Sequence, residues 1–85
     1  MSMSNLRDDG INWKEISLEE VFELAIADEE YAREYYRRAA GLAGSPHTRR
    51  LLLELSDMEQ GHADALRKEL EELRIERDQE AGMAD

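Results

Sequence analysis

Residues 51–66 read LLLELSDMEQGHADAL, and the reading of this stretch decides the fold. Leu52, Leu55 and Leu66 recur at the three- and four-residue steps of an amphipathic helix. Glu59 and His62 occupy the same stripe, where a core-facing helix normally carries leucine. Burying an ionised carboxylate without a partner is costly, so this series, 52–55–59–62–66, predicts that something compensates the two polar groups.

Upstream lies a second stripe with the same kind of interruption. In ISLEEV, residues 16–21, Ser17 and Glu20 form a capping box, and Ile16 with Val21 fits the hydrophobic staple around a helix start. From Leu18 the apolar positions run Phe22, Ala25, Ala32, Tyr36, Ala39 and Ala43, with Glu29 in the series. Gly44 is expected to end this helix as a C′ residue. Ser45 then caps a second helix with Pro46 at its first position. Helix two carries Leu52, Leu55, Leu66 and Leu73 and is expected to fade near Gln79. The predicted organisation is all-α: a flexible lead-in at 1–16, an antiparallel helical hairpin at 17–79, and a disordered tail at 80–85. Ile11, Trp13 or Ile16 is expected to cover Leu70 and Leu73, which extend beyond the start of helix one.

Folding the hairpin at Gly44 brings the two interruptions together. Glu29 lies 15 residues before Gly44 and Glu59 lies 15 after it. At 1.5 Å per residue each is about 22 Å from the bend, so Glu29, Glu59 and His62 meet at one level. A Glu-x-x-His match alone is weak in so acidic a chain, and a surface histidine bonded to a neighbour is the bland reading of His62. Glu30 is as acidic as Glu29, but only Glu29 lies on the stripe. The conjunction of one face, one level and otherwise apolar stripes points to a metal site. Carboxylates with imidazole and no thiolate suit iron, manganese or zinc. His47, in the first turn of helix two, reads as a solvated residue.

Composition limits the rest. The 85 residues include 21 acidic and 11 basic ones, for a net charge of −10. Such a surface repels nucleic acid and anionic membranes and attracts cations. The absence of cysteine excludes a disulfide framework and suits a cytoplasmic location. The opening MSMSNLRDDG lacks the apolar core of a signal peptide. At this length one hydrophobic core is marginal, and a partner or metal often completes it. One Glu helix plus one Glu-x-x-His helix is half the inventory of a di-iron four-helix bundle. A two-fold homodimer supplies the other half, with four carboxylates to balance two divalent ions.

IADEEYAREYY, the short turn with Pro46, and DMEQGHADAL together resemble the ferritin-like superfamily, including rubrerythrins. The resemblance is nearest to encapsulated ferritins, which are two-helix half-ferritins, and covers roughly residues 20–70. It implies a hairpin that dimerises into a ferritin-like four-helix bundle. It also implies a ferroxidase that oxidises Fe(II) at a di-iron centre, two irons per dimer, for iron storage or detoxification. Glu29, Glu59 and His62 fall on the family's iron ligands, and Tyr36 matches the aromatic hydroxyl placed beside the metal. Rings of dimers and an encapsulin shell are the implied partners. Tyr31 stands where the family carries another acid, Tyr35 replaces a bulkier aromatic, and ERDQEAGMAD lacks the apolar peptide that docks such cargo. The rival readings are a rubrerythrin-like peroxide reductase, for which this chain lacks the cysteine-rich electron-delivery module, and a non-enzymatic helical adaptor.

Overall fold

In a computed structural model, which describes residues 10–83 with side chains described for 10–80, two helices pack against each other. Helix α1 spans Leu18–Ala40 and α2 spans Pro46–Met83. They form an antiparallel hairpin 61 Å along its longest axis. No strand occurs among the described residues. None of the described helices is long and apolar enough to cross a membrane.

Both helix starts follow from their capping residues. The Ser17 side chain accepts from the Glu20 amide at 3.1 Å, and Glu20 reaches back to the Ser17 amide. Ser45 Oγ accepts from the Thr48 amide at 3.1 Å, with Pro46 at the first helical position where no amide is needed. The end of α1 departs from expectation. It stops at Ala40 with Gly41 as its cap, in the right-handed region at φ −67°. The Leu42 and Ala43 amides donate to the Ala39 and Ala40 carbonyls at 2.9 and 3.2 Å. This tightened last turn satisfies the carbonyls without a left-handed residue, so Gly44 has no C′ role and Ala43 lies in the turn.

The chain ends also differ from the expected organisation. Asn12 organises a turn: its carbonyl accepts from Glu15 and Ile16, and its side chain accepts from the Lys14 amide at 3.1 Å. Part of the expected lead-in is therefore a hydrogen-bonded turn. Ile11 and Ile16 are half-buried and line a shallow hollow with Glu20 and Leu24, whereas Trp13 remains 59% exposed. Helix α2 continues past Gln79 to Met83, which makes 80–83 of the expected tail helical. Glu80 and Ala81 favour helix, no proline intervenes, and Gly82 costs only about 1 kcal/mol relative to alanine. The remaining parts of the lead-in and tail, 1–9 and 84–85, lie outside the described residues.

The seam between the helices is narrower than the leucine stripe suggests. Ile26, Ala32 and Ala40 of α1 and Ser56, Glu59, Ala63 and Leu70 of α2 are buried, while Leu52, Leu55, Leu66 and Leu73 are half-buried flanks. Small side chains at the seam allow close approach of the backbones. Ser56 Oγ donates to the Arg33 carbonyl at 3.0 Å across it. No large described side chain is fully buried. A single hairpin thus leaves its leucines half covered.

Candidate metal centre

The middle of the seam holds the two acids and the histidine. Glu29 comes from the fourth turn of α1, and Glu59 and His62 come from one turn of α2. His62 Nδ1 lies 3.4 Å from Glu29 Oε2 and 3.9 Å from Glu59 Oε2. Each of the three residues offers a ligand atom within 4.8 Å of the others. The hairpin therefore brings the predicted trio to one level. Glu30 turns away and pairs with Arg67.

Burial is graded across the trio. The Glu59 side chain is 8% exposed, Glu29 18%, and His62 56%. The site thus opens on the His62 side and closes against the seam. Glu59 Oε2 is buried without a hydrogen-bond partner. An orphaned buried carboxylate oxygen fits a cation and has no reason to exist in a purely apolar seam. The Glu59 carboxyl is pushed up from 4.5 to about 7. The chief cause is a hydrogen bond shared with the Glu29 carboxyl, followed by desolvation and repulsion from Glu29. His62 opposes the shift and Asp28 adds to it. Repulsion from Glu29 and burial together favour the protonated form of Glu59, and a cation entering the site would displace that proton.

The oxygen-rich donor set with one imidazole suits iron and, secondarily, manganese or zinc. The sequence model of one protein family, described as Rubrerythrin, matches residues 20–84, which takes in all of α2, all but the first two residues of α1, and all three donors. The chain belongs to the rubrerythrin family. That membership places it in the ferritin-like di-iron superfamily, in keeping with the resemblance on Glu29, Glu59 and His62. No curated protein and no solved structure matches this rubrerythrin-family chain.

Other side chains have defined places around the trio. Tyr36 is half-buried and meets Tyr35 edge-on, with ring centroids 5.6 Å apart and planes at 81°. No hydrogen bond joins its hydroxyl to the donors among the described residues. His47 is exposed at the far end of the hairpin, as expected of a solvated residue. Asp28 is 6% exposed and contributes to the charge felt by Glu59. Sequence reasoning noticed Asp28 only as an acid beside Glu29. Its burial had no periodic signal, because it lies about 100° off the stripe.

Proposed function

We propose that this rubrerythrin-family chain is a ferroxidase whose di-iron centre is shared across a homodimer. The observation that carries this reading is the buried Glu59 oxygen without a partner, facing Glu29 and His62. A cation relieves both the repulsion between the carboxyls and the missing hydrogen bond. One hairpin offers three protein donors, which leaves a divalent iron under-coordinated. Two hairpins related by a two-fold axis double the set, and their half-buried leucines gain a common core.

In that arrangement Glu59 from the buried seam, with Glu29 and His62 on its open side, would be the residues of each copy that hold the metals. When bound, a pair of Fe(II) ions supplies two electrons together to dioxygen or peroxide. The chain's own contribution is to position the donors, release the carboxyl proton as metal enters, and leave an approach on the His62 side. Tyr36 is assigned the role of an aromatic hydroxyl near that approach. A dimer of two hairpins encloses no storage cavity. Deposition of oxidised iron therefore belongs to a ring of dimers or an encapsulin shell.

Family membership also favours a second reading, peroxide reduction with electrons from a separate donor protein. Anaerobic Fe(II) titration followed by oxygen or peroxide separates the readings. A ferroxidase binds one iron per chain and oxidises further Fe(II) with dioxygen over many turnovers. A peroxide reductase consumes peroxide in preference to oxygen and stalls without a reductant. Failure to retain iron or any other divalent metal rejects both and leaves the helical adaptor.

A further inference from the structure

Glu59 has two neighbours in sequence, and the turn of α2 sends them to opposite sides. Gln60 goes to the side where Arg33 reaches it and where it donates to Asp64 at 2.9 Å. Met58 is rotated about 100° the other way, which is the hand of His62. Met58 and His62 are four residues apart, so they stand one above the other on one face, with Cβ atoms about 6 Å apart. Side chains on a helix lean toward its start, and the His62 ring does so: its Nδ1 lies 3.9 Å from Oε2 of Glu59, three residues earlier. That lean brings the imidazole to the level of Met58.

The surroundings of Met58 are open. The residue is 56% exposed, in contrast to its buried neighbours Ser56 and Glu59. Gly61, three residues on, is exposed, and a Cβ there would meet nothing within 4 Å. Met58 therefore takes no part in the seam and stands at the rim of the opening on the His62 side. A single exposed apolar side chain is ordinary. Its chemistry is what sets this one apart. The chain has no cysteine, and Met58 and Met83 are the methionines of residues 10–83. Met83 ends α2, about 36 Å along the helix from Glu59.

We propose that Met58 is an oxidation site at the mouth of the candidate metal centre, whose thioether takes an oxygen atom from hydrogen peroxide leaving past His62. The proposal rests on the ferroxidase reading above, in which two Fe(II) ions give two electrons to dioxygen and two protons complete hydrogen peroxide. The sulfur attacks one peroxide oxygen, and the S–O bond forms as the O–O bond breaks. Sulfur loses two electrons and the peroxide gains them. The proton on the transferred oxygen passes to the departing hydroxide, so the products are the sulfoxide and water. A thiolate would compete for the peroxide, and the chain offers none. Methionine sulfoxide is returned to the thioether by dedicated reductases, which makes the rim sulfur a renewable guard for the donors behind it.

Peptide mass spectrometry of the full chain tests this, with Met83 as the internal reference. One sample oxidises Fe(II) in air, and a second, metal-free, receives hydrogen peroxide from a stock. Peroxide made beside Met58 meets it before dilution, so the ratio of Met58 to Met83 sulfoxide should be about fivefold or more higher in the first sample. Catalase added during iron oxidation should suppress the Met83 product and leave most of the Met58 product. Glu59→Gln, given the same Fe(II) and oxygen, should return the ratio to that of added peroxide. Met58→Leu keeps the apolar volume and removes the sulfur, so more hydrogen peroxide should escape to solution in the first turnovers. Equal ratios in the two samples, no Met58 sulfoxide, or its loss on adding catalase overturns the oxidation site and leaves the ferroxidase reading standing. Wild-type protein that fails to oxidise Fe(II) overturns both.

Discussion

The two sides of the hairpin groove are built from the same helices and could hardly be less alike. One side is laced by polar cross-links. Glu19 pairs with Arg74 and Arg77, Glu23 with Arg74 at 2.9 Å, Glu30 with Arg67, and Arg33 with Gln60. The other side carries Ala25, Tyr36, Leu55 and Leu66, half-buried, around Glu29, Glu59 and His62. On the first side Arg67, Arg74 and Arg77 each face an acid at the edge of the solvent, while Arg33 reaches only the neutral Gln60 and keeps a buried Nε without a partner. Exposed pairs of that kind contribute about 0–1 kcal/mol each, so the ladder favours register more than stability. On the second side, like charges meet beside apolar groups, which costs local stability unless a cation neutralises them. Glu29 and Glu30 are neighbours in sequence, yet a rotation of about 100° assigns one to each side.

The largest expected effect comes from the donor side. Glu59→Gln should weaken metal binding by more than the roughly 10–100-fold typical of residues that only support a ligand, and should abolish iron oxidation. The same substitution should leave the metal-free hairpin as stable as wild type at pH 8, or more so, because it removes a carboxylate that burial penalises. Metal titration and thermal melting, done on the same samples, check both halves. His47→Ala should change neither.

The comparison sharpens at the neighbouring acids. Glu29→Gln should weaken iron binding about tenfold or more, while Glu30→Gln should alter it by less than about threefold and only loosen the Arg67 pair. A reversed ranking in metal titration would falsify the division of the groove into two sides.

A pH scan probes the carboxyl pair directly. The folded Glu59 carboxyl titrates near 7 rather than 4.5, so the folded chain binds more protons than the unfolded one between those values. Its contribution to metal-free stability is fully present below about 4.5 and is lost as pH rises through about 7. The size is on the order of 1–3 kcal/mol. Metal affinity should rise over the same window, because binding displaces the proton. Chelated and Zn(II)-loaded samples, melted between pH 5 and 8, should diverge with increasing pH. Parallel curves would remove the coupling.

The smallest effect belongs to the laced side. Arg67→Ala breaks its pairs with Glu30 and Asp64 and should lower stability by less than about 1 kcal/mol, measured by urea unfolding in 50 mM and 500 mM salt. The difference from wild type should shrink at high salt. Iron oxidation should persist, since none of the donors contacts Arg67 among the described residues.

The sequence by itself determined the two helices, their caps at Ser17 and Ser45, and the common level of Glu29, Glu59 and His62, but it placed the end of α1 at Gly44 where the chain caps at Gly41. These features follow from local chemistry and a fixed rise per residue, which act before any tertiary contact forms. Only the tertiary structure decided which residues close the seam. The leucine series suggested Leu52, Leu55, Leu66 and Leu73, but Ser56, Glu59, Ala63 and Leu70 are the buried line on α2. Two helices in contact bury a narrow stripe, and small residues win it because they allow the backbones closest. The burial of Asp28, the orphaned oxygen of Glu59 and the upward push on its carboxyl likewise arise only when α1 meets α2. Desolvation and the distance between charges are properties of the packed pair, and no single helix carries them.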